Sequence, residues 1–131
     1  MDSQRAEKPH STPKKILIID DQPFMIKLIQ YNLKKHGYNT ITETDGLKAL
    51  TEIDIIMPDL ILLDIRMPKI TGTELCKKFR KKESMKNIPI IILTGQVDSD
   101  TELLSRESGA TDFMTKPFSP VELALKVKQY I

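Results

Sequence analysis

The sequence predicts an α/β fold of five βα units, a parallel sheet joined by crossover helices. Short β-branched apolar runs alternate with longer amphipathic stretches, the order that parallel sheets require. Several of those runs are apolar on both faces, as strands covered by helices on two sides must be. The composition of 131 residues, 40% hydrophobic and 29% charged, is that of one domain with one core.

Residues 1–14 carry Pro9, Pro13 and mixed charge, with only Met1 and Ala6 apolar, so a flexible leader is expected there and the folded domain over 15–131. The first strand is Ile16–Ile19, ending in Asp20-Asp21. Pro23 suits the first turn of a helix, on which Met25, Leu28, Ile29 and Leu33 recur at helical spacing until Gly37 stops it. A weaker strand covers about Tyr38 to Glu43, then the turn pair Asp45-Gly46 leads to a helix with Leu47, Leu50 and Ile53 on one face, closed by Pro58. The third strand, Leu60–Leu63, ends in Asp64, and a loop with Pro68 and Gly72 precedes a helix carrying Leu75, Cys76 and Phe79. The fourth strand, Ile90–Leu93, runs into Thr94-Gly95, and a polar helix over about Ser99 to Ser108 has Leu103-Leu104 as its only strong apolar pair before Gly109. The last strand is about Thr111 to Met114, followed by Lys116-Pro117-Phe118 and by Ser119-Pro-Val-Glu122, a capping box with proline at the first helical position. The final helix runs to Ile131.

Composition excludes several classes of function. One cysteine forbids an internal disulfide, and no signal-like apolar segment follows Met1, which points to a reducing, cytoplasmic compartment. Apolar runs such as Leu60–Leu63 are far shorter than the roughly 20 residues of a membrane helix. A net charge of +2 is not the basic excess of a dedicated nucleic-acid binder.

In an open parallel sheet, ligands bind beyond the carboxyl ends of the strands. The residues there are Asp20 and Asp21, Asp64, Thr94 and Lys116. Singly they have plain explanations: Asp21 could cap the following helix, Asp64 could end a strand, and Thr94 is β-prone. Five polar groups at one edge of an apolar sheet are not explained by packing. Carboxylates a few ångströms apart repel on the kcal/mol scale, so the three acids call for a cation. Oxygen ligands with no paired His or Cys favour a hard ion, and Mg²⁺ suits a few carboxylates plus water and a phosphate. A carboxylate beside Mg²⁺ and a lysine can attack phosphorus, and Asp64 is the central candidate.

These residues resemble the receiver domain of two-component response regulators, of the chemotaxis-regulator type. The likeness covers Lys15 to Ile131 and rests on Asp20-Asp21, on Asp64-Ile-Arg-Met-Pro-Lys-Ile-Thr-Gly72, on Thr94-Gly95, on Gly109-Ala-Thr-Asp112 and on Phe113-Met-Thr-Lys-Pro-Phe118. It implies a flavodoxin-like three-layer (βα)5 sandwich with strand order 2-1-3-4-5. It further implies that Asp64 accepts a phosphoryl group from the phosphohistidine of a sensor histidine kinase or a histidine phosphotransfer protein. By the same resemblance Mg²⁺ is held by Asp21, Asp64 and the backbone carbonyl of Arg66, with Asp20 reaching it through water. Lys116 pairs with one phosphoryl oxygen, the Thr94 hydroxyl moves to another, and Phe113 turns inward to repack the face of the fourth helix, fifth strand and fifth helix. Lys116-Pro117 resembles the family's cis peptide. Arg66 and Gln96 occupy positions that tune the phosphoryl lifetime. Such a domain is not an enzyme with a separate substrate, since it promotes only its own phosphorylation and dephosphorylation. It is expected to reach an unnamed downstream effector, to bind neither membrane nor nucleic acid directly, and to be a monomer or a weak dimer promoted by phosphorylation.

Other readings are weaker. A degenerate receiver, acting as a phosphorylation-independent interaction module, usually lacks an acid or the lysine, and both are present here. A phosphatase of the haloacid dehalogenase type needs a second acid where Arg66 stands, and a flavin or nucleotide binder needs a glycine- or hydroxyl-rich loop where Asp20-Asp-Gln-Pro23 stands. The basic run Lys77–Lys82, with Lys86, is expected to be a solvated helix end. Phe79 is expected in the core, Cys76 as a buried small hydrophobe, and His10 and His36 away from any site.

Overall fold

The structure, a computed structural model, describes residues 12–95 and 99–131. Residues 1–11 of the expected leader, with His10, lie outside the described residues, as does Gln96. The elements alternate as β1 (Lys15–Ile19), α1 (Pro23–Lys35), β2 (Asn39–Glu43), α2 (Gly46–Ile56), β3 (Leu60–Asp64), α3 (Gly72–Arg80), β4 (Ile90–Thr94), α4 (Ser99–Glu107), β5 (Asp112–Thr115) and α5 (Pro120–Tyr130). The five strands are parallel in the order β2-β1-β3-β4-β5.

Strand periodicity divides the core into two layers. Ile16, Ile18, Leu60, Leu62, Ile91 and Leu93 meet α1 and α5 through Ile29, Leu33, Leu123 and Val127. Leu17, Ile19, Ile61, Leu63, Ile90 and Ile92 meet α2 and α3 through Ala49, Ile53, Leu75, Cys76 and Phe79. Both faces of β1, β3 and β4 are therefore dry, which is why those runs do not alternate with polar residues. The register sets Ile19 beside Leu63 and Thr94 beside Thr115, bringing the carboxyl ends of these strands to one edge.

On three helices some of the apolar residues singled out by spacing face away from the core, while others, such as Ile29, Leu33 and Ile53, are buried as expected. On α1 the inward residues are Ile26, Ile29 and Leu33, while Leu28 is exposed and Met25 half-buried. Both sets recur helically; in the observed rotation Asn32 is buried and its Nδ2 donates to the Pro120 carbonyl at 2.8 Å, tying α1 to α5. On α2 the inward residues are Ala49 and Ile53, and Leu47 is exposed because Asp45 is the cap, accepting from the Leu47 and Lys48 amides, with the helix entering at Gly46. On α4 Leu103 and Leu104 face solvent while Ser105, and Ser108 just past the helix end, are buried, the reverse of an ordinary amphipathic helix. The basic run is also not uniformly solvated. Arg80 turns inward, donating to the carbonyls of Gly109 (2.7 Å), Met85 (2.6 Å) and Ile88 (2.7 Å) and to Thr111 Oγ1 (3.1 Å), so it fastens the approach to β5 onto α3. Cys76 and Phe79 are fully buried, and burial pushes the Cys76 thiol up.

The turn into α3 depends on one glycine. Gly72 donates its amide to the Ile65 carbonyl at 2.9 Å, and a β-carbon there would run into the Asp64 carbonyl oxygen and stand 2.8 Å from Ile65 Cα. Backbone cannot yield as a flexible side chain can, so Gly72→Ala is expected to cost about 2 kcal/mol of stability, read as a lower urea midpoint at unchanged slope.

Candidate functional site

The site is assembled at the β1–β3 boundary, where the strand order reverses. Asp20 follows β1 with its side chain fully buried, and Asp64 is the last residue of β3. Carboxylate oxygens of Asp20, Asp21 and Asp64 lie within 4.8 Å of one another, with Asp21 the most open of the three. Asp21 does not cap α1; Gln22 holds that position, and its amide donates to Asp20 Oδ1 at 2.9 Å.

Lys116 enters from the far side of the sheet edge. Its amide donates to the Thr94 carbonyl at 2.6 Å, its peptide to Pro117 is cis, and its Nζ lies 3.1 Å from Asp64 Oδ1 and 3.2 Å from Asp20 Oδ2. Burial and the neighbouring Asp20 charge push the Asp64 carboxyl above the ordinary value of 3.8, against the pull of Lys116. Half-burial works against the charge on Lys116, yet the carboxylates of Asp64 and Asp20 hold its amine above the ordinary value of 10.5. The cluster is acid-rich: among the described residues it gathers three carboxylates and one amine, which contacts two of them.

Thr94 is buried at the end of β4, paired in register with Thr115. Arg66 is exposed in the β3–α3 loop, two residues beyond Asp64, and makes no ion pair among the described residues. Phe113 lies further off, half-buried on β5 against the α2–α3 core, with the Arg106 guanidinium 5.6 Å from its ring centre. The strand ends thus bring together Asp20, Asp21, Asp64 and Lys116, with Thr94 on the adjacent strand, while Phe113 stands apart. His36 is exposed at the end of α1, with its Nδ1 2.9 Å from the Asn32 carbonyl.

One cluster was not anticipated from sequence. The Asp112 carboxylate accepts from Tyr130 Oη (2.6 Å), Lys126 Nζ (3.1 Å) and the Phe113 amide (2.7 Å). Burial opposes its charge, but these donors hold the Asp112 carboxyl below the ordinary range. The cluster braces the strand that carries Phe113 against the end of α5. Its only trace in the sequence is the four-residue spacing of Lys126 and Tyr130, one turn of a helix.

Residues 16–128 match the family model of the response regulator receiver domain. The chain belongs to that family. It is 45% identical over 115 residues to the alkaline phosphatase synthesis transcriptional regulatory protein PhoP of Bacillus subtilis, a match covering 88% of this chain and 47% of PhoP. The receiver thus spans about half the length of the full-length regulators it matches. Among solved structures it superposes on the chemotaxis protein CheY4 of Vibrio cholerae with a TM-score of 0.88 at 29% identity, covering 92% of this chain and all of that one. It also superposes on the receiver domain of the sensor histidine kinase PA1611 of Pseudomonas aeruginosa, whose active-site cleft coordinates a magnesium ion, with a TM-score of 0.84 at 27% identity over 91% of this chain and 98% of that one. The flavodoxin-like fold and the strand order expected from the resemblance are the ones observed. Among the described residues no helix is long and apolar enough to cross a membrane.

In this receiver the acidic cluster could hold a metal ion. Without one, its charge has a signature in stability. A carboxyl raised in the folded state keeps its proton to higher pH than the unfolded chain does, so stability falls as pH climbs from 3.8 through the raised value and is level above it. Asp64→Asn, without divalent ions, is expected to remove that fall and to unfold at a higher temperature than the wild type at neutral pH, by a few degrees, measured by circular dichroism across pH 3.5 to 8.

Proposed function

We propose that this receiver is a phosphoacceptor in two-component signalling, taking a phosphoryl group from the phosphohistidine of a sensor histidine kinase or a histidine phosphotransfer protein onto Asp64. The observation that carries the reading is Lys116 Nζ lying 3.1 Å from a buried aspartate at the point where strand order reverses. A structural ion pair needs one acid; here two share one amine and a third carboxylate lies within 4.8 Å of them, an arrangement that favours an incoming cation.

The donor set suits Mg²⁺. All the candidate ligands are oxygens, no His or Cys belongs to the cluster, and their mutual distances are within 4.8 Å. Asp21, Asp64 and the Arg66 carbonyl would hold the ion, with Asp20 acting through water, since its oxygens already accept from the Gln22 amide and Lys116. When bound, Mg²⁺ supplies positive charge that offsets the phosphoryl oxygens.

An Asp64 carboxylate oxygen attacks phosphorus. The new O–P bond forms as the P–N bond to the partner's imidazole breaks, and its electron pair leaves with the ring nitrogen. Lys116, already aimed at Asp64, transfers its contact to a phosphoryl oxygen. A second oxygen requires a donor, and the Thr94 hydroxyl on the neighbouring strand is the one at hand. Its movement frees space for Phe113, beside which an open pocket of about 380 Å³ lies against Phe118 and Lys126. Burial of the Phe113 ring then repacks the α4-β5-α5 face that an effector reads. The polar packing of α4, with Ser105 inward and Ser108 buried just past its end, lowers the cost of moving that helix. The chemistry ends with the receiver's own phosphorylation and dephosphorylation, in a cytoplasmic setting.

Acetyl phosphate with Mg²⁺ is expected to add one phosphoryl mass to the wild type and none to Asp64→Ala; an adduct that survives in Asp64→Ala refutes the assignment. The switch has its own test. With beryllofluoride, Thr94→Ala is expected to keep the amide shifts near Asp64 and to lose at least half of those along α4 and β5 in NMR spectra, whereas a full α4-β5 response uncouples the hydroxyl from Phe113.

A further inference from the structure

The Phe113 backbone has little freedom. Its amide donates to Asp112 Oδ1 at 2.7 Å, its partner in register on β4 is Ile92, and Asp112 is itself held by Tyr130 Oη and Lys126 Nζ from α5. A change at this position is therefore a turn of the ring, and the ring's resting place is set by what touches it. The ring packs against the core layer that α2 and α3 cover. From α4 the guanidinium of Arg106 lies 5.6 Å from the ring centre, inside the range in which a cation is drawn to an aromatic face. Glu102, one turn earlier on α4, steadies that guanidinium, with Arg106 Nε 3.3 Å from Glu102 Oε2.

The inner side of α4 offers the ring small polar neighbours. Leu103 and Leu104 turn to solvent, Ser105 is buried with its hydroxyl unpartnered among the described residues, and Ser108 Oγ donates to the Ser105 carbonyl at 2.6 Å. Where an ordinary amphipathic helix sets leucines against a sheet, this one sets hydroxyls, so the contact of Arg106 with Phe113 weighs more in joining α4 to β5.

We propose that Arg106 is a latch on the aromatic switch: its guanidinium holds the Phe113 ring beside α4 in the unphosphorylated receiver, and the ring must leave it to turn inward. This rests on the reading of Phe113 as the ring that moves when Asp64 is phosphorylated. Arg106 is then a positioning residue, acting through Phe113. Its effect is on a population. A ligand that needs the inward ring binds more weakly in proportion to the scarcity of that state, so a contact confined to the outward ring lowers the apparent affinity for a phosphoryl group. A cation–π contact from an exposed arginine shifts such an equilibrium by about two- to five-fold.

A double-mutant cycle reads this on beryllofluoride, the phosphoryl stand-in, titrated with Mg²⁺ present and followed by the amide shifts near Asp64. Arg106→Gln is expected to bind beryllofluoride about two- to five-fold more tightly than the wild type. In Phe113→Leu, where no ring answers the cation, the same substitution is expected to leave the affinity level. A second readout needs no Phe113 variant: without beryllofluoride, the Phe113 ring-proton shifts of Arg106→Gln are expected to move toward the positions they take with it. Arg106→Gln binding no more tightly than the wild type overturns the proposal. So does an equal gain in the Phe113→Leu background, since the cause is then the Glu102 pair or the charge of α4 and not the ring, and so do ring shifts that stay at their wild-type positions. If the wild type itself takes up no beryllofluoride, the phosphoacceptor reading fails first, and this inference with it.

Discussion

Three carboxylates converge where, among the described residues, one amine answers them, and much of the molecule is arranged around that imbalance. At an effective dielectric of about 20, two unit charges 4 Å apart interact by about 4 kcal/mol, so each like-charged pair is costly and each contact with Lys116 offsets part of the cost. The Asp64 carboxyl accordingly holds its proton more tightly than usual, and Lys116 holds its own against burial. A site in this condition gains from any hard cation and, with one present, from a phosphoryl group whose oxygens then find donors.

The rest of the fold serves to keep those charges close. Dry strands on both sides of β3 leave no path by which the sheet edge could spread, because Ile19, Leu63 and Leu93 are all fully buried directly beneath the acids. Gly72 lets α3 start within contact of the Asp64 backbone, and Ile70 over Gly46 holds the intervening loop down on α2. On the other side, the hydrogen bond from Lys116 to the Thr94 carbonyl joins the amine and the hydroxyl through β4 and β5. Events at Asp64 therefore reach β5 through a short run of backbone, and β5 is braced at its base by Arg80 on the Thr111 hydroxyl and by Tyr130 and Lys126 on Asp112.

Most of the fold was legible in the sequence, because two-sided burial forces apolar runs that no surface strand would carry, and because acids at strand ends have few structural uses. Asp20, Asp21, Asp64, Thr94 and Lys116 stand out in the sequence as strand-end residues. What was hidden depends on rotation and long-range contact. Helical spacing on α1 is satisfied equally by Leu28 or by Ile26; the helix turns Ile26 inward, and Asn32 on it bonds Pro120. Arg80 looked like one cation of a solvated run, since nothing local indicates that three carbonyls from the α3–β4 connection and the α4–β5 turn converge on it. The positive φ of Lys69 is likewise invisible, because lysine is not a residue that announces a left-handed turn.

The central claim is that the site is short of positive charge and that Lys116 supplies the one amine it has among the described residues. Thermal unfolding of Lys116→Met, with and without magnesium chloride, tests it most directly. The account predicts that this variant unfolds below the wild type in chelator and that Mg²⁺ raises its midpoint by more than it raises the wild type's, because the ion meets a larger deficit. A variant as stable as the wild type in chelator, with no greater response to Mg²⁺, would contradict it.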